Sequence, residues 1–146
     1  MKKNIFLTLV FSTFGILFAD PPTWEDNPGG YEFVSTIAGV LVMNDGVQLG
    51  DPGDMLAAFD DAGDIRGLAD EELGLLYPPF GPYEGTPVWE ITLRSNVEGD
   101  ILHFKYYDAS EDDVLDIAES HAFVINEVVG DVMEPVTFNV GSENPP

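Results

Sequence analysis

The chain lacks cysteine altogether and has very few basic residues. Without cysteine it forms no disulfide, and no thiol nucleophile is available for catalysis. Lysine and arginine together number five, against 27 aspartate and glutamate residues. No G-x-S-x-G or H-E-x-x-H motif occurs, and the two histidines, His103 and His121, stand singly in predicted strands. These absences argue against an enzyme.

An uncharged, mostly apolar stretch, Ile5 to Phe18, follows Lys2 and Lys3 and leads to Ala19. A basic start, an apolar middle of about 15 residues and a small final residue are typical of a secretory signal peptide. The stretch is short for a spanning helix, which needs roughly 20 apolar residues. We therefore predict cleavage after Ala19 and export without membrane insertion. The expected location is secreted or at the cell surface, with the periplasm as the alternative.

The predicted mature chain is strongly acidic. Removal of residues 1–19 leaves 127 residues with three cations, Arg66, Arg94 and Lys105, and a formal charge of −24. Such a field repels nucleic acid and anionic membranes, whose binding depends on Lys and Arg contacts to phosphate. The same negative field attracts divalent cations. Disorder is disfavoured, because the chain is 45% hydrophobic and 12% aromatic.

Alternating and β-branched segments separated by Gly and Pro predict about seven strands and no long helix. We therefore predict an all-β fold, an antiparallel two-sheet β-sandwich, over residues 31–141. It follows an irregular arm at residues 20–30 and precedes a polar tail at residues 142–146. Its longest strand is predicted at Tyr31–Met43 and ends in a tight turn at Asn44-Asp45-Gly46.

A first hairpin is predicted between Met55–Asp60 and Asp64–Ala69, joined by a three-residue loop that ends in glycine. Its register sets Phe59 opposite Ile65 and Met55 opposite Ala69. Ala57 and Gly67 lie between these pairs and leave room for a bulky group from another sheet.

A second hairpin is predicted between Val88–Arg94 and Ile101–Tyr107. One register satisfies both its apolar face and its charges, as cross-strand pairing normally requires. The expected pairs are Trp89 with Tyr106, Ile91 with Phe104, Leu93 with Leu102, and Glu90 with Lys105.

The other segments give weaker signals. Residues 70–87 are predicted to form a loop with one short turn, because four prolines and two glycines between Tyr77 and Pro87 disrupt regular structure. Asp108–Glu119 is predicted to be irregular and then to form a short strand. The last strands are expected at His121–Ile125 and Pro135–Val140.

Four segments carry a resemblance to a known kind of domain: PTWEDNPGGYEFVSTIAGVL, GDPGDMLAAFDDAGDIRGLA, VWEITLRSN and GDILHFKYYDAS. In this order, and with a late apolar strand and a Gly before Pro135, they cover most of residues 22–140. The chain resembles an uncharacterised domain of exported surface proteins from Bacteroidetes and related marine bacteria. The resemblance implies a secreted β-sandwich module used in adhesion or surface attachment.

Carboxylates concentrate in the predicted loops, and Ca²⁺ takes six to eight oxygen ligands from such groups. No EF-hand loop is present, so convergence of separate loops would have to build the site. A solvated acidic surface is the alternative interpretation. The candidate calcium ligands are Asp51, Asp54, Asp60, Asp61, Asp64, Asp108 and Asp112.

Aromatic residues in the arm and the long loop are candidates for stacking on sugars. Such sites combine apolar walls with a few polar groups. The candidates are Trp24, Tyr77 and Tyr83, with Tyr31 and Phe80 nearby. Two alternatives stay open: Trp24 pins the arm to the sandwich, or the loop aromatics pack on one another.

Arg66 lies between small residues of a predicted strand beside an Asp-rich turn. Pairing with Asp54, Asp60 or Asp64 would clamp the loop through a charge-assisted hydrogen bond. The alternative is an arginine that binds a carboxylate or sulfate ligand.

Together these observations predict an exported, non-catalytic binding or adhesion module with calcium as a candidate stabiliser. Its expected partner is an extracellular glycan or protein rather than nucleic acid. Proline and charge at the sheet edges favour a monomer. The alternatives are a carbohydrate-binding module and a structural subunit of an extracellular assembly.

Overall fold

The computed structural model describes residues 21–141. The predicted signal peptide at residues 1–19 and the predicted tail at residues 142–146 lie outside this range. Within it the chain forms strands, turns and bends without a helix, so it contains no helix capable of crossing a membrane.

Ten strands form two sheets, which confirms the predicted two-sheet β-sandwich. Seven of them have four or more residues, and three have only two or three. Their bounds are β1 Phe33–Asn44, β2 Val47–Leu49, β3 Met55–Phe59, β4 Ile65–Ala69, β5 Leu75–Leu76, β6 Val88–Ser95, β7 Ile101–Asp108, β8 Asp113–Ala122, β9 Val128–Val129 and β10 Val136–Asn139.

The larger sheet has the order β10-β1-β6-β5, and β2 and β9 also pair with β1. The smaller sheet has the order β4-β3-β7-β8. Most pairings are antiparallel, but β9 and β10 run parallel to β1. The two sheets meet along one side, where Ile117 of β8 forms a bridge to Val140.

The core lies between the sheets, where the inward side of each long strand is apolar. Trp89, Tyr106, Phe104 and Phe123 are its largest side chains, and each is at most 2% exposed. Burying such rings contributes roughly 1.5–3 kcal/mol apiece relative to exposure, which makes them the main stabilising contacts of the fold.

The first strand and its turn fold as the sequence predicts. β1 begins two residues later and ends one residue later than predicted. Asp45 and Gly46 both have positive φ, 47° and 79°, the backbone of a two-residue hairpin turn. That turn returns the chain into β2, which pairs with the end of β1.

The β3–β4 hairpin is confirmed, with a partly different register. Phe59 pairs with Ile65 as predicted, but Leu56 rather than Met55 faces Ala69. The register shifts by one residue at Arg66, because Ala58 already faces Gly67. Such a bulge adds an unpaired residue to one strand, and here it frees Arg66 from the ladder.

The predicted hairpin between β6 and β7 is wrong. β6 pairs with β1 and β5, whereas β7 pairs with β3 and β8, so the two strands lie in opposite sheets. Their apolar sides were identified correctly and face each other across the core, where Trp89 contacts Tyr106 edge to face. The predicted Glu90–Lys105 pair does not form, because the two residues lie in opposite sheets. Lys105 instead contacts Asp116 of β8 at 2.6 Å.

The segment after β7 is more regular than predicted. Asp113–Ala122 forms a ten-residue strand that pairs along β7, where irregular structure and a short strand were expected. The strand predicted at His121–Ile125 is wrong beyond Ala122, because the chain turns there and Asn126 adopts a positive φ of 60°. The strand predicted at Pro135–Val140 forms as β10.

Candidate functional site

All three cations of the described residues are held in ion pairs. Arg66 contacts Asp60, Arg94 contacts Asp26, and Lys105 contacts Asp116. The two arginine side chains are 14% and 16% exposed. An anionic ligand would therefore compete with a bound carboxylate at each arginine.

Arg66 is the centre of a clamp at the β3–β4 turn. Its Nε donates to Asp60 Oδ2 at 2.9 Å, and its Nη1 donates to the Arg94 carbonyl at 3.3 Å and lies 3.2 Å from Asp100 Oδ2. The guanidinium also lies over the Tyr31 ring, 4.3 Å from its centroid. This geometry favours the structural clamp over the anion-binding alternative.

Asp60 organises the turn itself. Its Oδ1 accepts the backbone N–H groups of Ala62 and Asp64 at 3.0 and 2.9 Å. Burial by itself would raise the pKa of Asp60, but the hydrogen bonds from Asp64 and Arg66 outweigh it and lower the pKa below its usual value. The carboxylate is therefore held ionised by groups of the protein.

Asp54 is a buried carboxylate that joins three segments. It is 1% exposed and accepts hydrogen bonds from the Tyr106 hydroxyl and from the N–H groups of Asp51 and Ala109. Burial, followed by this hydrogen bond to Asp54, raises the pKa of Tyr106 far above its ordinary value. These three hydrogen-bond donors satisfy the buried carboxylate, so no metal ion is needed to compensate for its burial.

The other predicted calcium ligands divide into bonded and exposed groups. Asp108 accepts from Ser110, and Asp112 accepts from the Tyr107 hydroxyl at 2.8 Å. Asp51 and Asp64 are exposed, and Asp61, although exposed, contacts His103 Nε2 at 2.7 Å. Within residues 21–141, no group of three or more His, Asp or Glu side chains is arranged to hold a metal ion.

The N-terminal arm is fastened to the sandwich at two points. Trp24 packs edge to face on Phe59 of β3, with 5.4 Å between ring centroids. Asp26 accepts two hydrogen bonds from Arg94, at 2.9 and 2.8 Å, in a forked pair. Trp24 is thus half-buried and in contact with the fold, as the pinning alternative requires.

A cleft lies between this arm and the β3–β4 turn. Its volume is about 550 Å³, within the range of small-ligand sites. The sequence alone identified Asp64 and Tyr31 but not the cleft, because the arm and the turn are more than 30 residues apart. Its walls carry hydroxyl, carboxylate and amide groups from Thr23, Glu25, Asn27, Tyr31 and Asp64.

The loop between β5 and β6 presents two aromatic side chains to solvent. Tyr77 is 54% exposed and Phe80 is 60% exposed, while Tyr83 is half-buried. The backbone of the loop is fixed by bonds from Gly85 N–H to the Pro78 carbonyl and from Thr86 N–H to the Tyr83 carbonyl. We call residues 77–83 the aromatic loop.

Contacts on both sides hold the aromatic loop against the larger sheet. The Tyr77 hydroxyl donates to the Gly50 carbonyl, and Gln48 donates to Thr86 and to the Pro87 carbonyl. At the loop apex, a Cβ on Gly81 would lie 2.5 Å from Met133 Sδ. Met133 belongs to the β9–β10 connection, so the loop apex lies close to that connection.

The acidic turn before this loop exposes apolar side chains that the sequence reasoning did not identify. Leu73 is 80% exposed and Leu76 is 39% exposed. The preceding Asp70 caps the turn by accepting the N–H groups of Glu72 and Leu73 at 2.9 and 2.8 Å. The sequence did contain a signal for this exposure, because Leu73 directly follows consecutive acidic residues. These residues form a turn that is too short to bury a leucine side chain.

Comparisons with known proteins add no relative. No protein-family model matches the chain, and neither a curated protein nor a solved structure matches it. The resemblance to exported bacterial surface domains therefore stays a prediction from the sequence.

Proposed function

We propose that the protein is an exported, non-catalytic binding or adhesion module that contacts its ligand through the aromatic loop. The observation that carries this proposal is the exposure of Tyr77 and Phe80 on a backbone held by hydrogen bonds at both ends. The sequence-predicted signal peptide supports export.

A fixed loop reduces the entropic cost of binding. Ordering a mobile side chain on association costs about 0.5–1.5 kcal/mol, and an aromatic ring has only two rotatable bonds to order. Tyr77 is further restrained by its hydroxyl contact with Gly50. Such rings offer broad apolar faces to a glycan or to a protein surface.

The charge distribution restricts the class of ligand. The three cations of residues 21–141 are already paired, and the mature chain is strongly acidic. The negative charge of the protein would repel anionic polysaccharides and nucleic acids, and the paired cations would not offset that repulsion. We therefore propose a neutral or cationic ligand.

A second candidate function is carbohydrate binding in the cleft between the arm and the β3–β4 turn. The polar lining favours it, because carboxylate, amide and hydroxyl groups can hydrogen-bond sugar hydroxyls. Trp24 lies in the same arm, one residue from the lining residues Thr23 and Glu25. In this alternative the cleft, rather than the aromatic loop, holds the ligand.

Calcium binding remains a separate proposal. Asp54, Asp60, Asp108 and Asp112 already accept protein hydrogen bonds, so a calcium ion would use the exposed carboxylates Asp51 and Asp64. It would recruit Asp61 only by displacing that carboxylate from His103. A rise in melting temperature with CaCl₂ beyond that with NaCl of equal ionic strength, absent in Asp61→Asn/Asp64→Asn, would support it. Equal shifts with both salts would count against it.

The test of the main proposal uses binding to defined probes. Affinity gels containing xylan, mannan, laminarin or starch, together with pull-down on cellulose and chitin, measure glycan binding, and panning of displayed random dodecapeptides measures peptide binding. The loop variants are Phe80→Ala and Tyr77→Ala/Phe80→Ala, and the cleft variant is Glu25→Gln. Val97→Ala/Val128→Ala is the matched control, because both valines are exposed far from the loop in sequence (59% and 69%).

We expect at least one probe to bind and both loop variants to weaken its binding tenfold or more. Phe80→Ala should do so at unchanged melting temperature, whereas Tyr77→Ala/Phe80→Ala also loses the hydroxyl contact with Gly50. Loss of binding with Glu25→Gln and not with the loop variants would favour the cleft. Failure of every probe, or binding that none of the variants alters, would refute the proposal.

A further inference from the structure

A second, smaller cleft lies beside the acidic turn that precedes β5. Its volume is about 390 Å³. Its lining combines the apolar side chains of Pro21, Pro22 and Met55 with Gly53 and the acidic residues Asp54, Asp70, Glu71 and Glu72. The cleft joins the N-terminal arm, β3 and the turn, three segments that only the folded chain brings together.

The charge of this turn is not balanced by nearby basic residues in the sequence. Between Arg66 and Arg94 the chain contains no Lys or Arg. Asp70 is already used to cap the turn, but the side chains of Glu71 and Glu72 are exposed. Two exposed carboxylates thus line a cleft that also contains apolar side chains.

Leu73, directly after these acids, is 80% exposed. Transfer of a leucine side chain from water to an apolar contact is favourable, so a partner that covers Leu73 would be stabilised by that contact. Leu73 thus places an exposed apolar side chain next to two exposed carboxylates, so a partner that carries both an apolar and a cationic group could contact both.

We propose that this cleft binds a basic, apolar segment of another polypeptide. The chemistry of a Lys or Arg side chain matches this cleft. Its aliphatic stem would lie against Pro21, Pro22 and Met55, and its positive charge would pair with Glu71 and Glu72. An apolar residue next to that Lys or Arg would cover Leu73. Charge complementarity selects this occupant over a glycan, which offers no cation.

The inference rests on the proposed binding role but not on the aromatic loop. A displayed library of random dodecapeptides is panned on the full mature chain, and an enriched peptide is synthesised in two forms. One form has the selected sequence, and the other has citrulline in place of each arginine, or acetyl-lysine in place of each lysine. Citrulline keeps the shape of arginine and removes its charge.

We expect enriched peptides to combine Lys or Arg with Leu, Ile or aromatic residues, and the neutral form to bind at least tenfold more weakly. Glu71→Gln/Glu72→Gln and Leu73→Ser should each weaken binding of the charged form tenfold. All three positions are exposed, so the fold is expected to be retained. The control is Asp45→Asn/Asp113→Asn, which removes the same charge at two other exposed acids.

Three results would overturn the inference: no enriched sequence, equal binding of both peptide forms, or equal weakening by the control and by the Glu71/Glu72 variant. The last result would mean that the peptide is attracted by the overall negative charge of the protein and not by this cleft. Loop-dependent glycan binding in the same preparation would show that the proposed function holds even where this inference fails.

Discussion

The Tyr106 hydroxyl donates a hydrogen bond to Asp54 Oδ2 inside the sandwich, where the two residues are 0% and 1% exposed. Asp54 also accepts the backbone N–H groups of Asp51 and Ala109. The carboxylate thus ties the 51–54 turn and the end of β7 to the core. It performs the bridging role that the sequence suggested for a calcium ion at this loop.

Replacement of Tyr106 by phenylalanine should destabilise the protein at neutral pH. The variant keeps the ring and removes one of the three hydrogen bonds to a buried carboxylate, which costs about 1–3 kcal/mol. Urea denaturation followed by circular dichroism measures the loss. Tyr83→Phe in the aromatic loop is the control and should change the free energy of unfolding by less than about 0.5 kcal/mol. Equal stability of Tyr106→Phe and wild type would contradict the bridging role.

The same tyrosine should make the protein sensitive to alkaline pH. Burial and Asp54 raise the pKa of Tyr106 in the folded state, so above about pH 10 the unfolded chain ionises while the folded one does not. Stability is therefore complete below pH 10 and falls above it, by up to about 1.4 kcal/mol per pH unit. Tyr107, whose pKa is raised by its bond to Asp112, adds to the slope. Urea midpoints between pH 8 and 11 should fall less steeply in Tyr106→Phe.

Removal of the Arg66 side chain should destabilise the β3–β4 turn. Arg66→Met leaves Asp60, whose side chain is 13% exposed, without its charged partner, at a cost of about 1–3 kcal/mol. Lys105→Met is the control, because its pair with Asp116 is 43% and 64% exposed and contributes about 0–1 kcal/mol. Similar losses in both variants would argue against a clamp.

The pH dependence of the stability of Arg66→Met tests the same clamp through the protonation of Asp60. The pKa of Asp60 is lowered in the folded protein, so its contribution is present above the unfolded value near 4 and is lost as pH falls below it. Acid unfolding between pH 5 and 2 should therefore be less steep in Arg66→Met than in wild type. An unchanged slope would show that Arg66 does not set the protonation of Asp60.

Gly67 in β4 should not tolerate alanine. A Cβ at this position would lie 2.4 Å from the Thr92 carbonyl oxygen of β6, a backbone atom that cannot rotate away. Gly67→Ala should therefore lower the free energy of unfolding by about 1–3 kcal/mol, as overpacked positions do. Gly29→Ala is the control, because no atom lies within 4 Å of the place that its Cβ would take. A Gly67→Ala protein as stable as the control would mean that the two sheets are farther apart.

The N-terminal arm should loosen when its forked ion pair is broken. Asp26→Asn weakens the contact with Arg94, so Trp24 should leave Phe59 more often while the core Trp89 stays buried. Iodide quenching of tryptophan fluorescence should rise in Asp26→Asn. The rise should vanish in Asp26→Asn/Trp24→Phe, which retains only Trp89. Unchanged quenching would show that the ion pair is not needed to keep Trp24 on Phe59.

Alternation predicted which side chains are buried better than it predicted which strands pair. Trp89, Ile91, Leu102 and Phe104 are all at most 2% exposed, as expected from period-two alternation. The same pattern fits either two strands of one hairpin or two strands facing each other across a sandwich. The five-residue connection at residues 96–100 permits both, so local sequence could not assign β6 and β7 to different sheets.

The short elements depend on distant partners. β5 and β9 have two residues each and exist because they pair with β6 and β1. The charged start of β8 lacks apolar alternation, yet it becomes a strand because β7 offers it a complete ladder. Such tertiary effects outweigh local propensity and are not visible in a single sequence.

The candidate sites were predicted only as residue types. Local density of acids identified Asp54 and Asp60, but the hydrogen-bond donors that satisfy them come from Tyr106, Ala109 and Arg66 in other segments. Prolines correctly marked the aromatic loop as irregular, and its exposed Tyr77 was among the predicted ligand-binding residues. The two clefts could not be predicted, because each needs the arm docked against a distant turn.

The most direct test of ligand recognition by the aromatic loop is an NMR titration of ¹⁵N-labelled protein with the polysaccharide that binds it most tightly. We predict that the largest amide shifts fall in residues 77–85, including Gly81 and Gly85, and that Phe80→Ala removes them. Shifts confined to residues 23–31 and 63–65 would contradict the account and move the site to the cleft beside the arm.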